Sequence, residues 1–339
     1  MKILFKILKG LLLVILLLVM VYFMGPQVKR PDLNRTLPQM TSDLKDLEAE
    51  IMEYEATFPN LKPDNEARII WYDSIPKKTE YSLVYLHGWS ASQEEGDPLH
   101  VATAKRFGCN LYLPRLAGHG LVEDEPMLDL TADMVIGSAK AAIAVAKQLG
   151  EKVIVMATST GGTLALHLAG GDVDIVALIL YSPNIEIYDS NARLLAKPWG
   201  LELARLVKQG NYHEFDCDVE LKNQYWTTKY RVEALTHLQV MVDATMKPET
   251  FKRITQPVFL GYYYKNDTLQ DNVVSVPAML DMFDRLGTPD SQKHKVAFPD
   301  VGDHVMTSYI TSKDLESVKK ETYFFLEEVM QLQTVLQVP

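Results

Sequence analysis

The chain has 339 residues, 47% of them hydrophobic, and a formal net charge of −10. That length fits one large α/β domain with insertions or two ordinary domains, and the apolar fraction is enough for a sizeable core. The acidic balance argues against nucleic acid as a partner, because phosphate contacts need clustered Lys and Arg, and two cysteines exclude a dense disulfide framework.

Residues 1–26 hold an apolar run from Ile3 to Met24, broken only by Lys6, Lys9 and Gly10. Its uninterrupted part, Leu11 to Met24, is short for a span, but the two lysines can snorkel and let the whole stretch cross a bilayer. The competing reading is a cleaved signal peptide. That needs small residues before the cut, and here Val21, Tyr22, Phe23 and Met24 precede Gly25-Pro26. An uncleaved anchor is the expectation. Lys2, Lys6 and Lys9 before the span, against Lys29 and Arg30 after it, place the bulk of the chain on the extracytoplasmic side.

Residues 27–65 start as a Pro-rich, polar linker and continue into a helix beginning at Thr41-Ser42-Asp43, with Leu44, Leu47, Ile51 and Tyr54 at helical intervals. From residue 66 the rhythm changes. ARIIWYDS and YSLVYLHG read as strands, Pro98 to Phe107 as a helix and CNLYLP as a strand. Cys109, in that last run, reads as a buried inert thiol. Thr131 to Leu149 is helical with Gly150 as its stop. KVIVMA and VDIVALILYS, separated by a helix from Gly161 to Ala169, are continuous apolar runs of the kind buried on both faces of a parallel sheet.

Residues 185–250 break this alternation with helical stretches and no buried β-run, which predicts a helical cap inserted between a first core part, 66–184, and a second, 251–339. Tyr188, Leu194, Trp199, Leu203 and Leu206 could line an acyl pocket there or pack the cap onto the core. Cys217 lies between Asp216 and Asp218, whose carboxylates disfavour a reactive thiolate. PVFLGYYY, VPAMLDMFDRLG, HKVAFP and a long helix from Asp314 to Gln333 restore the strand–helix order.

The chemistry centres on KVIVMA followed by Thr158-Ser159-Thr160-Gly161-Gly162 and a helix. A serine nucleophile on a sharp strand-to-helix turn needs small residues two positions before and after it. Ser159 has Ala157 and Gly161 there; Thr158 would have Met156, and Thr160 would have Thr158. A second feature is His87-Gly88-Trp89 at the end of an early strand. With these two features the chain resembles the α/β-hydrolase superfamily, and its 185–250 insertion resembles the helical caps of monoacylglycerol lipases and related carboxylesterases. It departs at one point, having A-x-S-x-G where the family has G-x-S-x-G. The resemblance spans roughly residues 66–339 and implies a mostly parallel sheet flanked by helices.

Several roles follow from the resemblance alone. Oxyanion donors are implied at the backbone N–H groups of Trp89 and Thr160. The loop LPRLAGHG matches an R-x-x-G-H-G element, making His119 structural, as His87 is. The base is implied at His304, after the last strand. The acid is implied at Asp271, which is followed by Asn272-Val273-Val274, with Asp267 as the competitor. Ser159, Asp271 and His304 keep the family's chain order. The implied activity is hydrolysis of an acyl ester, with a lipid-derived substrate suggested by the anchor and the apolar cap; a catalytically inactive binding protein, or an acyltransferase or other bond hydrolase, are the alternatives. No His, Cys, Asp or Glu spacing reads as a metal site, and Gly161-Gly162-Thr163 lacks a phosphate-loop Lys, so no cofactor is expected.

Overall fold

The computed structural model describes residues 2–215 and 219–335. Helix α1 (Lys2–Phe23) is the one described helix long and apolar enough to cross a membrane, and none of its apolar stretch is buried against the rest of the chain. Residues 27–40 then run along the body. The Gln27 side chain donates to Ala196 O, Asp32 N donates to Asp133 Oδ1, and Arg35 donates to Gly170 O. Helix α2 (Leu44–Ala56) starts where the Asp43 carboxylate accepts from Lys45 N and Asp46 N. It buries Leu47 and Ile51 in the main core.

Seven strands form the central sheet: β1 (Arg68–Ile70), β2 (Thr79–Leu86), β3 (Asn110–Leu113), β4 (Gly150–Thr158), β5 (Ile175–Tyr181), then β8 (Val258–Tyr263) and β9 (Lys293–Phe298). Their order is β1-β3-β2-β4-β5-β8-β9, every pair parallel except β1 with β3. Parallel pairing demands crossovers. These are α3 (Leu99–Phe107), α4 (Ala132–Leu149), α5 (Thr160–Ala169), and α10 (Val276–Asp284) between β8 and β9. The strands alternate strictly between two cores. Val84, Leu86, Val155 and Ala157 face α4 and α5, while Leu83, Tyr85, Ile154 and Met156 face α3 and the C-terminal helix α11 (Leu315–Phe324). Burial on both faces is why β4 reads as an uninterrupted apolar run. The mostly parallel sheet is the one expected from the strand–helix rhythm, and its order is the architecture that the resemblance to the α/β hydrolases implied. The thiol of Cys109 is buried, and burial pushes it up to about 12, as suits an inert core residue; Cys217 lies outside the described residues.

One expectation gains a detail and one needs correction. The stretch joining β5 to β8 holds α6 (Gly200–Lys208), α7 (Glu220–Tyr225), α8 (Val232–Thr245) and α9 (Pro248–Lys252), but also an antiparallel ribbon of β6 (Tyr212–Glu214) and β7 (Lys229–Arg231). Three-residue strands, with only Tyr230 buried, leave no alternation to read. The C-terminal helix does not continue to Gln333. After α11 the chain widens into a π-turn at Phe325–Val329, with Met330 N donating to Phe325 O, and Gln331 adopts a positive φ of 56°. The π-turn lets both Phe325 and Leu326 enter the core.

Candidate active site

The carboxyl ends of the central strands converge on one patch. At the tip of β4, Ser159 has φ 53° and ψ −118°, a conformation costly for a residue with a Cβ. Its backbone is held by hydrogen bonds: Ser159 N donates to Tyr181 O, and Ser159 O accepts from Gly162 N, Thr163 N and Asn184 N. Position 161 tolerates only glycine, because a Cβ there would lie 1.9 Å from Leu86 O at the end of β2. The nearest obstruction is thus the adjacent strand, whereas the alanine at 157 fits within the buried β4–β5 pairing. The side chain of Ser159 sits 7% exposed at the start of α5.

The turn after β2 lies alongside. A Cβ on Gly88 would come within 3.1 Å of Ser159 Cβ. Neither Trp89 N–H nor Thr160 N–H has an acceptor among the described residues. Thr160 is the first residue of α5, so its N–H belongs to the positive end of a helix dipole. The two remaining histidines of this end are structural. His87 Nε2 accepts from Leu116 N, His119 Nδ1 donates to Ala117 O, and burial holds their imidazoles down at about 3 and about 4.

Asp271 and His304 meet, with Nδ1 of the imidazole 2.6 Å from Oδ2 of the carboxylate. The other carboxylate oxygen accepts from Val273 N (2.9 Å) and Val274 N (3.0 Å). The two valines after Asp271 therefore serve by their backbone N–H groups. Burial opposes ionisation of Asp271, but the charge and hydrogen bond of His304 and these two N–H groups outweigh it, leaving its pKa lowered. Burial likewise opposes protonation of His304, and the Asp271 carboxylate overcomes it, leaving its pKa raised. Asp267 is exposed and accepts from Tyr264 Oη, away from the imidazole.

Ser159 Oγ and His304 are at the same end of the sheet but share no hydrogen bond; His304 Nε2 is buried without a partner. Their flanking residues touch, since Thr158 Oγ1 and Thr307 Oγ1 are 3.5 Å apart. Unliganded active sites often leave this last hydrogen bond open.

Sequence reasoning missed Glu95. It is 2% exposed, yet its carboxylate accepts from Gly88 N (2.6 Å) and Tyr85 Oη (3.0 Å). Tyr85 Oη also bonds Thr158 Oγ1, and Thr307 Oγ1 donates to Glu95 O. One residue thus ties the turn after β2, the tip of β4 and the His304 loop together. Burial pushes its carboxyl up to about 7, against the pull of Gly88 N–H and the nearby His304. The only signal in the sequence is the acidic pair Glu94-Glu95, and nothing in it tells which member turns inward.

A family model, the alpha/beta hydrolase family, matches residues 83–309. The chain belongs to the alpha/beta hydrolase family. A structure reported among two metagenome-derived lipolytic enzymes, LipS and LipT, superposes with a TM-score of 0.64 at 16% identity, covering 79% of this chain and 99% of that one. An esterase of Pyrococcus furiosus gives 0.51 at 17%, covering 90% and 99%, and Est1E from Butyrivibrio proteoclasticus 0.51 at 17%, covering 78% and 94%. At these identities the likeness is one of fold. No curated protein matches the chain.

Proposed function

We propose that this chain is a serine hydrolase of acyl esters, of the monoacylglycerol lipase or carboxylesterase type, with Ser159 as nucleophile, His304 as base and Asp271 as acid. The reading is carried by the 2.6 Å Asp271–His304 contact at the same strand ends as the strained Ser159. His304 Nε2 takes the Ser159 proton as Oγ attacks the ester carbonyl. The oxyanion is held by Trp89 N–H and Thr160 N–H, whose lack of other acceptors supports the role. The alcohol leaves with the proton from His304. Water, deprotonated by His304, then attacks the acyl-enzyme and releases the acid. Asp271 fixes the imidazole tautomer throughout, and Glu95 holds the oxyanion turn against the histidine loop.

In this reading residues 1–26 anchor the protein, with the bulk extracytoplasmic, and residues 185–250 form a cap between the core parts 66–184 and 251–339. A fluorophosphonate probe on the folded full-length chain should add covalently at Ser159. The second reading, a non-catalytic binding protein, is favoured by the open Ser159–His304 hydrogen bond; it gains if no adduct forms.

A further inference from the structure

The C-terminal end of α1 is not a free tether. Trp199 donates through Nε1 to Val21 O (3.2 Å) and through its backbone N to Pro26 O (2.8 Å). Its indole lies where a Cβ on Gly25 would be, 2.1 Å from Nε1, and Gln27 reaches Ala196 O just before it. The segment 189–208 is therefore joined to the point where the proposed anchor leaves the bilayer.

That segment carries the exposed apolar residues an interface would need. Leu206 is 75% exposed, Val207 69%, Leu194 46% and Trp199 40%. Around them Lys29, Arg30, Lys197 and Lys208 are exposed and enter no ion pair among the described residues, in a chain of net charge −10. Arg193 and Arg205 are paired with Glu186 and Glu233. Exposed apolar side chains and unpaired cations sharing one segment with exposed Asp189, beside a helix able to span a bilayer, fit a lipid surface better than another protein.

The residues just before this segment, 186–188, lead into the proposed catalytic end. Ile187 bridges Val274, Tyr188 N donates to Val273 O, and Ser275 N donates to Glu186 O. Val273 and Val274 are the residues whose N–H groups hold Asp271. We infer that residues 189–208 rest on the bilayer crossed by α1 and that the substrate is a bilayer-resident acyl ester delivered across this face. The inference rests on the ester-hydrolase reading above.

The test uses the full chain in vesicles of phosphatidylcholine, alone or mixed with phosphatidylglycerol, offered a short water-soluble ester or a long-chain acylglycerol held in the bilayer. Val207→Asp, and separately Lys197→Glu with Lys208→Glu, should lower hydrolysis of the bilayer ester about tenfold and leave the soluble ester within about twofold. Unchanged hydrolysis of the bilayer ester in both variants overturns the inference. A binding readout decides independently of turnover: in Val207→Trp, brominated phosphatidylcholine should quench the added fluorescence, and no quenching overturns the docking. If wild type cleaves neither ester, or Ser159→Ala cleaves both, it is the hydrolase reading that fails, whatever the quenching shows.

Discussion

The tip of β4 and the stretch from β5 to β8 are built on opposite principles. At the tip, every backbone group of Ser159 is hydrogen-bonded and the space beside it admits only a glycine at 161. In the β5–β8 stretch, short elements carry exposed apolar side chains such as Leu206 and Val207. The first is fixed by contacts within the chain. The second, on the further inference, is covered by something outside the chain. On the proposed function, reaction geometry belongs to the sheet, and on the further inference substrate supply belongs to the insertion.

The sharpest way to break this division is Ser159→Ala. Turnover should fall about a millionfold, the scale of losing a triad serine, with the melting temperature barely changed; ester hydrolysis and thermal unfolding on one preparation would show it. Asp271→Asn should cost about 10⁴-fold in kcat, since an amide cannot accept from both valine N–H groups and the imidazole at once. Asp267→Asn, on the exposed loop, should stay within about twofold. A reversal of the two would reassign the acid.

Gly161→Ala probes the tip as structure. A methyl 1.9 Å from Leu86 O should destabilise by about 3 kcal/mol or prevent folding, read as the urea midpoint. A mild effect would mean the tip is more pliable than its packing implies.

Glu95→Gln should act more gently, lowering kcat by about tenfold or less, because the amide oxygen still accepts from Gly88 N–H. Its signature is in the pH profile. His304 must be neutral to act as base and its pKa is raised, so kcat/KM should climb with pH through a limb above 6.5. Removing the Glu95 charge should move that limb to lower pH; a shift to higher pH, or none, would leave Glu95 a purely structural residue.

The last effect is on stability against pH. His87, His100 and His119 are buried neutral, with pKa values near 3, 4 and 4 against 6.5 when unfolded. Their contribution is fully present above about 6.5 and is lost as pH falls towards 4, so the melting temperature should drop across that window. Glu95 acts in the opposite sense, its raised pKa removing stability as pH rises from 4.5 to about 7. The drop should therefore be steeper in Glu95→Gln.

The sequence made the sheet legible because burial on both faces of β2, β4 and β5 forces apolar runs, and made Ser159 legible because the turn admits so few residue types. Asp271 could be singled out only through the family pattern, since its partners are backbone N–H groups that any residues would offer. Glu95 was hidden because burial of a carboxylate runs against composition and depends on a hydroxyl of Tyr85, ten positions away. The β6–β7 ribbon and the π-turn after α11 left no period to detect. The seat of Trp199 against the end of α1 joins residues 178 positions apart, beyond the reach of any local pattern.

Residues 27–43 carry one last implication. A free chain of that length would let its cargo wander roughly 20 Å. Here it is pinned at Gln27, Asp32 and Arg35 before α2 begins. On the proposal that α1 anchors the chain, a body mounted this way keeps a constant altitude and heading over the membrane, and an ester resident there would reach it by a two-dimensional search.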